Sequence, residues 1–216
     1  MFVLLQSLSP LTSGVGVRLK RIGSSCMSLT RLLVPSFTQM LRALSTWLEK
    51  AAAHERASGG DPNALLSLRL ASDMYPLASQ VRFACFQALE PAHRLRGEPL
   101  PEALGKLQRE GWNADTQSGS LQDAQARIAD SISFLSGLAS DALDAGATLP
   151  IALELPDGIV FDMTGDQYAR DWSLPQFYFH LTTAYAILRH HGVQLGKADY
   201  VSHMFAYVRP GSLPQS

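Results

Sequence analysis

The sequence predicts an all-α fold, a four-helix bundle with a small β-hairpin inserted before the last long helix. Three observations carry this prediction. Apolar residues recur at helical spacing in four long stretches. Turn-forming residues close each stretch. Between the third and fourth stretches the period drops to two, as in a half-buried strand. The composition agrees with a globular chain: 46% of the 216 residues are apolar and 17% are charged, and the length is enough for one sizeable core.

The first helix runs from Leu29 to about Arg56, with Leu33, Phe37, Met40, Leu41, Leu44 and Leu48 on one stripe. Pro35 marks either its start or a kink. Ala51–Ala53 extend it, and Gly59-Gly60-Asp61-Pro62 stop it. A short helical turn follows at Asn63–Leu68. The second helix opens at Ser72 or Asp73, with Pro76 in its first turn and Arg69 pairing locally with Asp73. Its stripe is Leu77, Val81, Ala84, Ala88 and Leu95, and Gly97 and Pro99 close it. Residues 98–119 read as a long connection with one helical turn near Glu102–Arg109.

Ser120 and Asp123 make a capping-box-like start for the third helix. Its stripe is Leu121, Ala124, Ile128, Ile132 and Leu135. Ile151, Leu153 and Leu155 then alternate, Pro156-Asp157-Gly158 turns the chain, and Ile159, Phe161 and Met163 alternate again. A lone hairpin is marginal, so this one must pack on the helices. The fourth helix begins near Thr164–Asp166, bends at Pro175 and ends near His190, with Gly192 just beyond it. Val193 onward reads as a loop, with Tyr200–Tyr207 docking on the bundle.

Residues 1–26 contain Arg18, Lys20 and Arg21 and no acid. They read as a disordered or upstream-translated extension, with a targeting segment as the alternative, and Met27 as the start of the bundle. The bundle domain then spans 27–203, with 204–216 as a tail. Removing those three cations leaves 15 basic and 19 acidic residues, so nothing draws the chain to nucleic acid. No apolar run approaches the roughly 18 residues needed to span a membrane. Two cysteines, Cys26 and Cys85, make no disulfide framework, and a reduced cytoplasmic setting is the expectation.

The chain lacks a Gly-x-Ser-x-Gly elbow, a P-loop, a Gly-x-Gly-x-x-Gly loop and a His-Glu-x-x-His helix. Among six histidines, His54 and His93 read as solvated near helix ends. His190 and His191 suit the negative end of the last helix, and His203 lies in the tail. His180 differs, lying mid-helix among aromatic residues. It reads as a core histidine with a hydrogen-bond partner, or as a metal ligand or general base. Cys85 reads as a small core hydrophobe. Gln80, one turn after Pro76, needs a partner if buried. Tyr75, Tyr178 and Tyr185 read as aromatic residues at the core edge.

Three segments carry a family resemblance: Arg69-Leu70-Ala71-Ser72-Asp73-Met74-Tyr75-Pro76-Leu77 with Gln80-Val81, Gln176-Phe177-Tyr178-Phe179-His180-Leu181-Thr182-Thr183-Ala184-Tyr185-Ala186-Ile187-Leu188-Arg189, and Gly192-Val193-Gln194-Leu195-Gly196-Lys197 with Asp199-Tyr200. Over about residues 28–202 the chain resembles a bacterial and fungal family filed as domain of unknown function 1993, DUF1993. That family in turn resembles a branch of the DinB/YfiT-like superfamily of four-helix bundles. The resemblance implies a DinB-like bundle, often dimeric, in which three histidines hold a divalent metal, one on the second helix and two at i, i+4 on the last. Here those positions correspond to Gln80, His180 and Ala184. One histidine of three remains, and a neutral amide is a weak substitute for imidazole. The expectation is therefore no bound metal and no other cofactor. A degenerate site would instead be a polar pocket lined by Asp73, Gln80, Tyr178 and His180, taking an unknown small molecule, in a homodimer. The alternative is a metal- or thiol-dependent transferase or isomerase with His180 as catalytic base, or as a residual metal ligand with Gln80.

Overall fold

The computed structural model describes residues 28–212. The expectations for residues 1–26 lie outside the described residues. Helix α1 spans Leu29–Ala57 and starts well before Pro35, which it runs through. Its start is tied down from afar. Asp144 Oδ1 accepts from the Thr30 amide at 2.9 Å, from Thr30 Oγ1 at 2.8 Å and from Ser28 Oγ at 2.9 Å. A carboxylate at a helix N-terminus meets the positive end of the dipole. The Thr30 amide, ahead of the two hydroxyls, holds Asp144 below the usual carboxylate range.

Helices α1, α2 (Leu77–Arg94), α4 (Leu121–Ser136) and α6 (Leu174–His190) form a ring in the order α1–α4–α2–α6. Aromatic edges lock α1 to α6: Phe37 meets Phe177 at 4.8 Å and Trp47 meets Tyr185 at 5.4 Å. Both partners advance together, so these helices run parallel. The predicted stripes face the shared interior, where Leu33, Leu41, Leu44, Leu77, Leu181 and Leu188 are wholly buried. Among the described residues no helix is long and apolar enough to cross a membrane.

Three expectations about α2 and its surroundings need correction. The helix begins at Leu77, after an extended Pro76 with ψ 171°, and not at Ser72 or Asp73. A proline disfavours helical geometry in the residue before it, so Tyr75 and its predecessors stay irregular. Arg69 accordingly pairs with Asp115 at 2.8 Å and not with Asp73. The 98–119 connection contains a full helix, α3 (Glu102–Trp112), and not a single turn. It packs on the outside of α2 through Leu104, Leu107 and Gly111. At Gly111 an added Cβ would lie 2.5 Å from the Phe83 ring. Covered by α3, α4 and α6, α2 is buried at every residue from Leu77 to Ala88.

The α4 start has the expected capping box, with the Asp123 amide donating to Ser120 Oγ at 3.1 Å and the Ser120 amide to Asp123 at 3.2 Å. Strands β1 (Pro150–Glu154) and β2 (Val160–Thr164) pair antiparallel, with Leu153 opposite Phe161. Ile151 and Leu153 of β1 are buried, as packing on the helices requires. The alternation predicted for the second strand does not bury it, and Ile159, Val160 and Phe161 are exposed.

Thr164 and Gln167 make a second capping box for α5 (Gly165–Gln167). The helical path continues through a π-turn at Tyr168–Ser173 into α6. The wide turn sits just ahead of Pro175, whose ring would crowd an ordinary turn and which has no amide hydrogen to donate. Past Gly192, α7 (Lys197–Tyr200) returns to α1. Trp47 Nε1 donates to the Asp199 carbonyl at 3.1 Å, and Tyr200 stacks on the Trp47 ring at 5.4 Å. Tyr200 thus docks as expected, whereas Met204, Phe205 and Tyr207 stay exposed.

Candidate functional site

Where α2 and α6 cross, Gln80 and His180 meet. His180 Nδ1 lies 2.9 Å from Gln80 Oε1. The other end of the amide is fixed, because Gln80 Nε2 donates to the Tyr75 carbonyl at 3.1 Å. Gln80 must therefore present its oxygen, and His180 must donate from Nδ1. In the neutral ring that leaves the lone pair on Nε2, and no hydrogen bond engages Nε2 among the described residues. The irregular segment before Pro76 makes this relay available, because it leaves the Tyr75 carbonyl in reach of Gln80.

The ring is half-buried between Phe83, 5.0 Å away, and Phe179, 5.4 Å away. Burial pushes its pKa down from 6.5 to about 4. At neutral pH His180 is therefore uncharged, and Nε2 can accept a hydrogen bond. The sign for stability follows from linkage. As pH falls below 6.5 the unfolded chain protonates this residue first, so stability present above that pH is lost down to about 4. Between pH 7 and 4.5 the wild type should lose about 2 kcal/mol more than His180→Gln, measured by urea unfolding at each pH. Equal losses would show that His180 is not desolvated.

Of the four residues expected to line one pocket, the structure brings together only two. Asp73 is exposed in the irregular segment before α2. Tyr178 lies two residues from His180, about 200° around the helix. It packs on Phe177 at 5.6 Å with Ser36 of α1 beside its hydroxyl, and burial raises its pKa. Ala184, one turn beyond His180, is fully buried and offers only a methyl group. The groups at the three implied ligand positions do not make a metal site: Ala184 cannot coordinate, Gln80 Oε1 is held by His180 Nδ1, and only His180 Nε2 keeps a lone pair to offer. Among the described residues no three His, Cys, Asp or Glu side chains come together as a metal site requires.

The family described as domain of unknown function (DUF1993) matches residues 29–201. The chain belongs to the DUF1993 family. A crystal structure of a DinB family member protein from Shewanella denitrificans is 32% identical to this DUF1993 chain, with a TM-score of 0.66 over 86% of this chain and 96% of that one. The DUF1993 bundle is thus DinB-like, with the hairpin ahead of its last long helix. No curated protein matches it.

Two features of this DUF1993 chain are absent from the sequence reading. Glu90 is buried on α2, where it accepts from Arg94 Nε at 2.8 Å and from the Tyr168 hydroxyl at 3.1 Å. The i, i+4 spacing of Glu90 and Arg94 signals the ion pair, but nothing local signals Tyr168. The second is a groove between α3 and α4, hidden as long as α3 reads as a connection. His93 lines it and is partly buried, where the sequence suggests a solvated residue. It stacks on Phe134 at 5.2 Å and meets Glu98 at 3.2 Å. Cys85 is fully buried beside Ser131, and burial raises its thiol to about 11, as fits an inert core cysteine.

Proposed function

We propose that this DUF1993 chain is a metal-free, small-ligand-binding bundle with a degenerate metal site at Gln80 and His180. The chemistry of the three implied positions is the supporting observation: Ala184 has no donor atom and Gln80 Oε1 is taken by His180 Nδ1, which leaves His180 Nε2 as a lone ligand. Elemental analysis of the full-length chain, purified without chelator beside His180→Ala, tests this reading. Neither protein should carry a transition metal near stoichiometry. A near-stoichiometric metal lost in His180→Ala would overturn the reading. Cytoplasmic location and a homodimer belong to the same reading, and light scattering on the purified chain tests the dimer.

The relay from the Tyr75 carbonyl through Gln80 to His180 favours a second reading. An imidazole oriented through Nδ1, with its lone pair on Nε2, has the geometry of a general base. On this reading the chain is a transferase or isomerase acting on a thiol adduct. Turnover of such an adduct should vanish in His180→Ala, and turnover unchanged in that variant would remove it.

A further inference from the structure

Helices α3 and α4 both pack on α2 and leave a groove of about 370 Å³ between them. That volume is in the range of small-molecule sites. Leu89 forms the floor, Leu104 and Leu107 line one wall, and Phe134 lines the other. An ion pair between Arg127 and Glu110, 2.6 Å apart, bridges the two helices at one end. At the other end, His93 stacks on the Phe134 ring and the Arg96 guanidinium lies 5.9 Å from it.

The charges around this groove are unequally satisfied. Glu110 answers Arg127, and Glu98 answers both Arg96 at 2.6 Å and His93 at 3.2 Å. Asp130, exposed at the rim, makes no ion pair among the described residues. Beside it, the buried Ser131 gives its hydroxyl hydrogen to the Arg127 carbonyl at 2.7 Å, so it offers Asp130 no hydrogen bond. An apolar trough with an unanswered carboxylate at its edge selects an apolar body carrying one positive charge.

We infer that the α2–α3–α4 groove binds a small apolar amine, its hydrocarbon against Leu104, Leu107 and Phe134 and its ammonium at Asp130. This inference rests on the small-ligand reading above and names the site and the ligand class. The site lies apart from the Gln80–His180 pair.

The probe is 2-phenylethylamine, titrated into the full-length chain and followed by ligand-observed NMR, with 3-phenylpropionate as the matched acid. The amine should bind about threefold or more tighter than the acid. Asp130→Asn, a surface change, should erase that preference. Ala103→Trp, which fills the groove from an exposed wall position, should abolish amine binding while leaving the circular dichroism and melting of the chain intact. Equal binding of acid and amine, an unchanged preference in Asp130→Asn, or no amine binding at about 10 mM would each overturn the inference. Amine binding lost in His180→Ala but kept in Ala103→Trp would also overturn it, while leaving small-ligand binding standing. Should Ala103→Trp misfold, the charge preference in Asp130→Asn decides alone.

Discussion

Gly165→Ala is expected to destabilise the bundle by about 3 kcal/mol or more. An added Cβ would lie 2.0 Å from the Gly146 carbonyl oxygen and 2.8 Å from Leu95 Cδ2. Gly146 is in the same position toward the next layer, its Cβ falling 2.0 Å from the Leu95 carbonyl oxygen. Three backbones are stacked here: the end of α2, the 3₁₀ turn at Asp144–Thr148, and α5. The Gly165 amide donates to the Leu149 carbonyl at 2.9 Å and holds the stack closed. No rotamer change relieves a clash with main-chain atoms, so whole elements must move.

The conformational preference of glycine is not the issue at these two positions, since neither has a left-handed φ. Gly158 supplies the contrast. Its φ is +85°, with nothing within 4 Å of an added Cβ. Gly158→Ala should therefore cost only about 1 kcal/mol, from backbone strain alone. Urea midpoints of the two variants give the comparison. A Gly165→Ala loss no larger than that of Gly158→Ala would mean that the stack is looser than its geometry. The effect reaches the candidate site, because α5 and the π-turn set where α6 begins and hence where His180 meets Gln80.

The stack also shows why some of the fold was legible and some was not. Helices α1, α2, α4 and α6 announce themselves because each buries one stripe, and a stripe is a local pattern. The Ser120 box and the Pro156-Asp157-Gly158 turn are local as well. Helix α3 has a stripe of only Leu104, Leu107 and Gly111, set among Gly and Pro residues, and its packing on α2 is what defines it. Gly146 and Gly165 give no local sign of their contact. At the candidate site, His180 stood out as a polar ring in an apolar helix, and Gln80 as an amide needing a partner. The irregular segment that ends at Pro76 carried Asp73 away. The 200° between Tyr178 and His180 follows from helix geometry alone, so that separation was available from the sequence.

Glu90→Ala is expected to cost about 3–5 kcal/mol, the range for removing one partner of a buried charge pair. Glu90 has 4% of its side chain exposed and Arg94 has 23%. The carboxylate therefore carries more of the desolvation, and two donors offset it: Arg94 on its own helix and Tyr168 on the π-turn. The Arg94 guanidinium also lies 6.0 Å from the centre of the Tyr168 ring. Burial first, and then the charge of Glu90, hold the Tyr168 phenol well above its ordinary pKa. It therefore stays protonated and donates across the neutral range. Removing the carboxylate strands a hydroxyl on a fully buried ring, and Arg94 can recover only part of its hydration. Glu90→Gln keeps one acceptor oxygen, for Tyr168, but loses the charge and turns an amide NH2 toward Arg94, so about 2–3 kcal/mol is expected. Tyr168→Phe leaves the ion pair standing and should cost about 1 kcal/mol. The order Glu90→Ala, then Glu90→Gln, then Tyr168→Phe in urea unfolding is the test. If Tyr168→Phe were as damaging as Glu90→Ala, the phenol and not the ion pair would be holding the π-turn to α2. If all three were mild, the cluster would be hydrated, and the start of α6 would be set by the glycine stack alone.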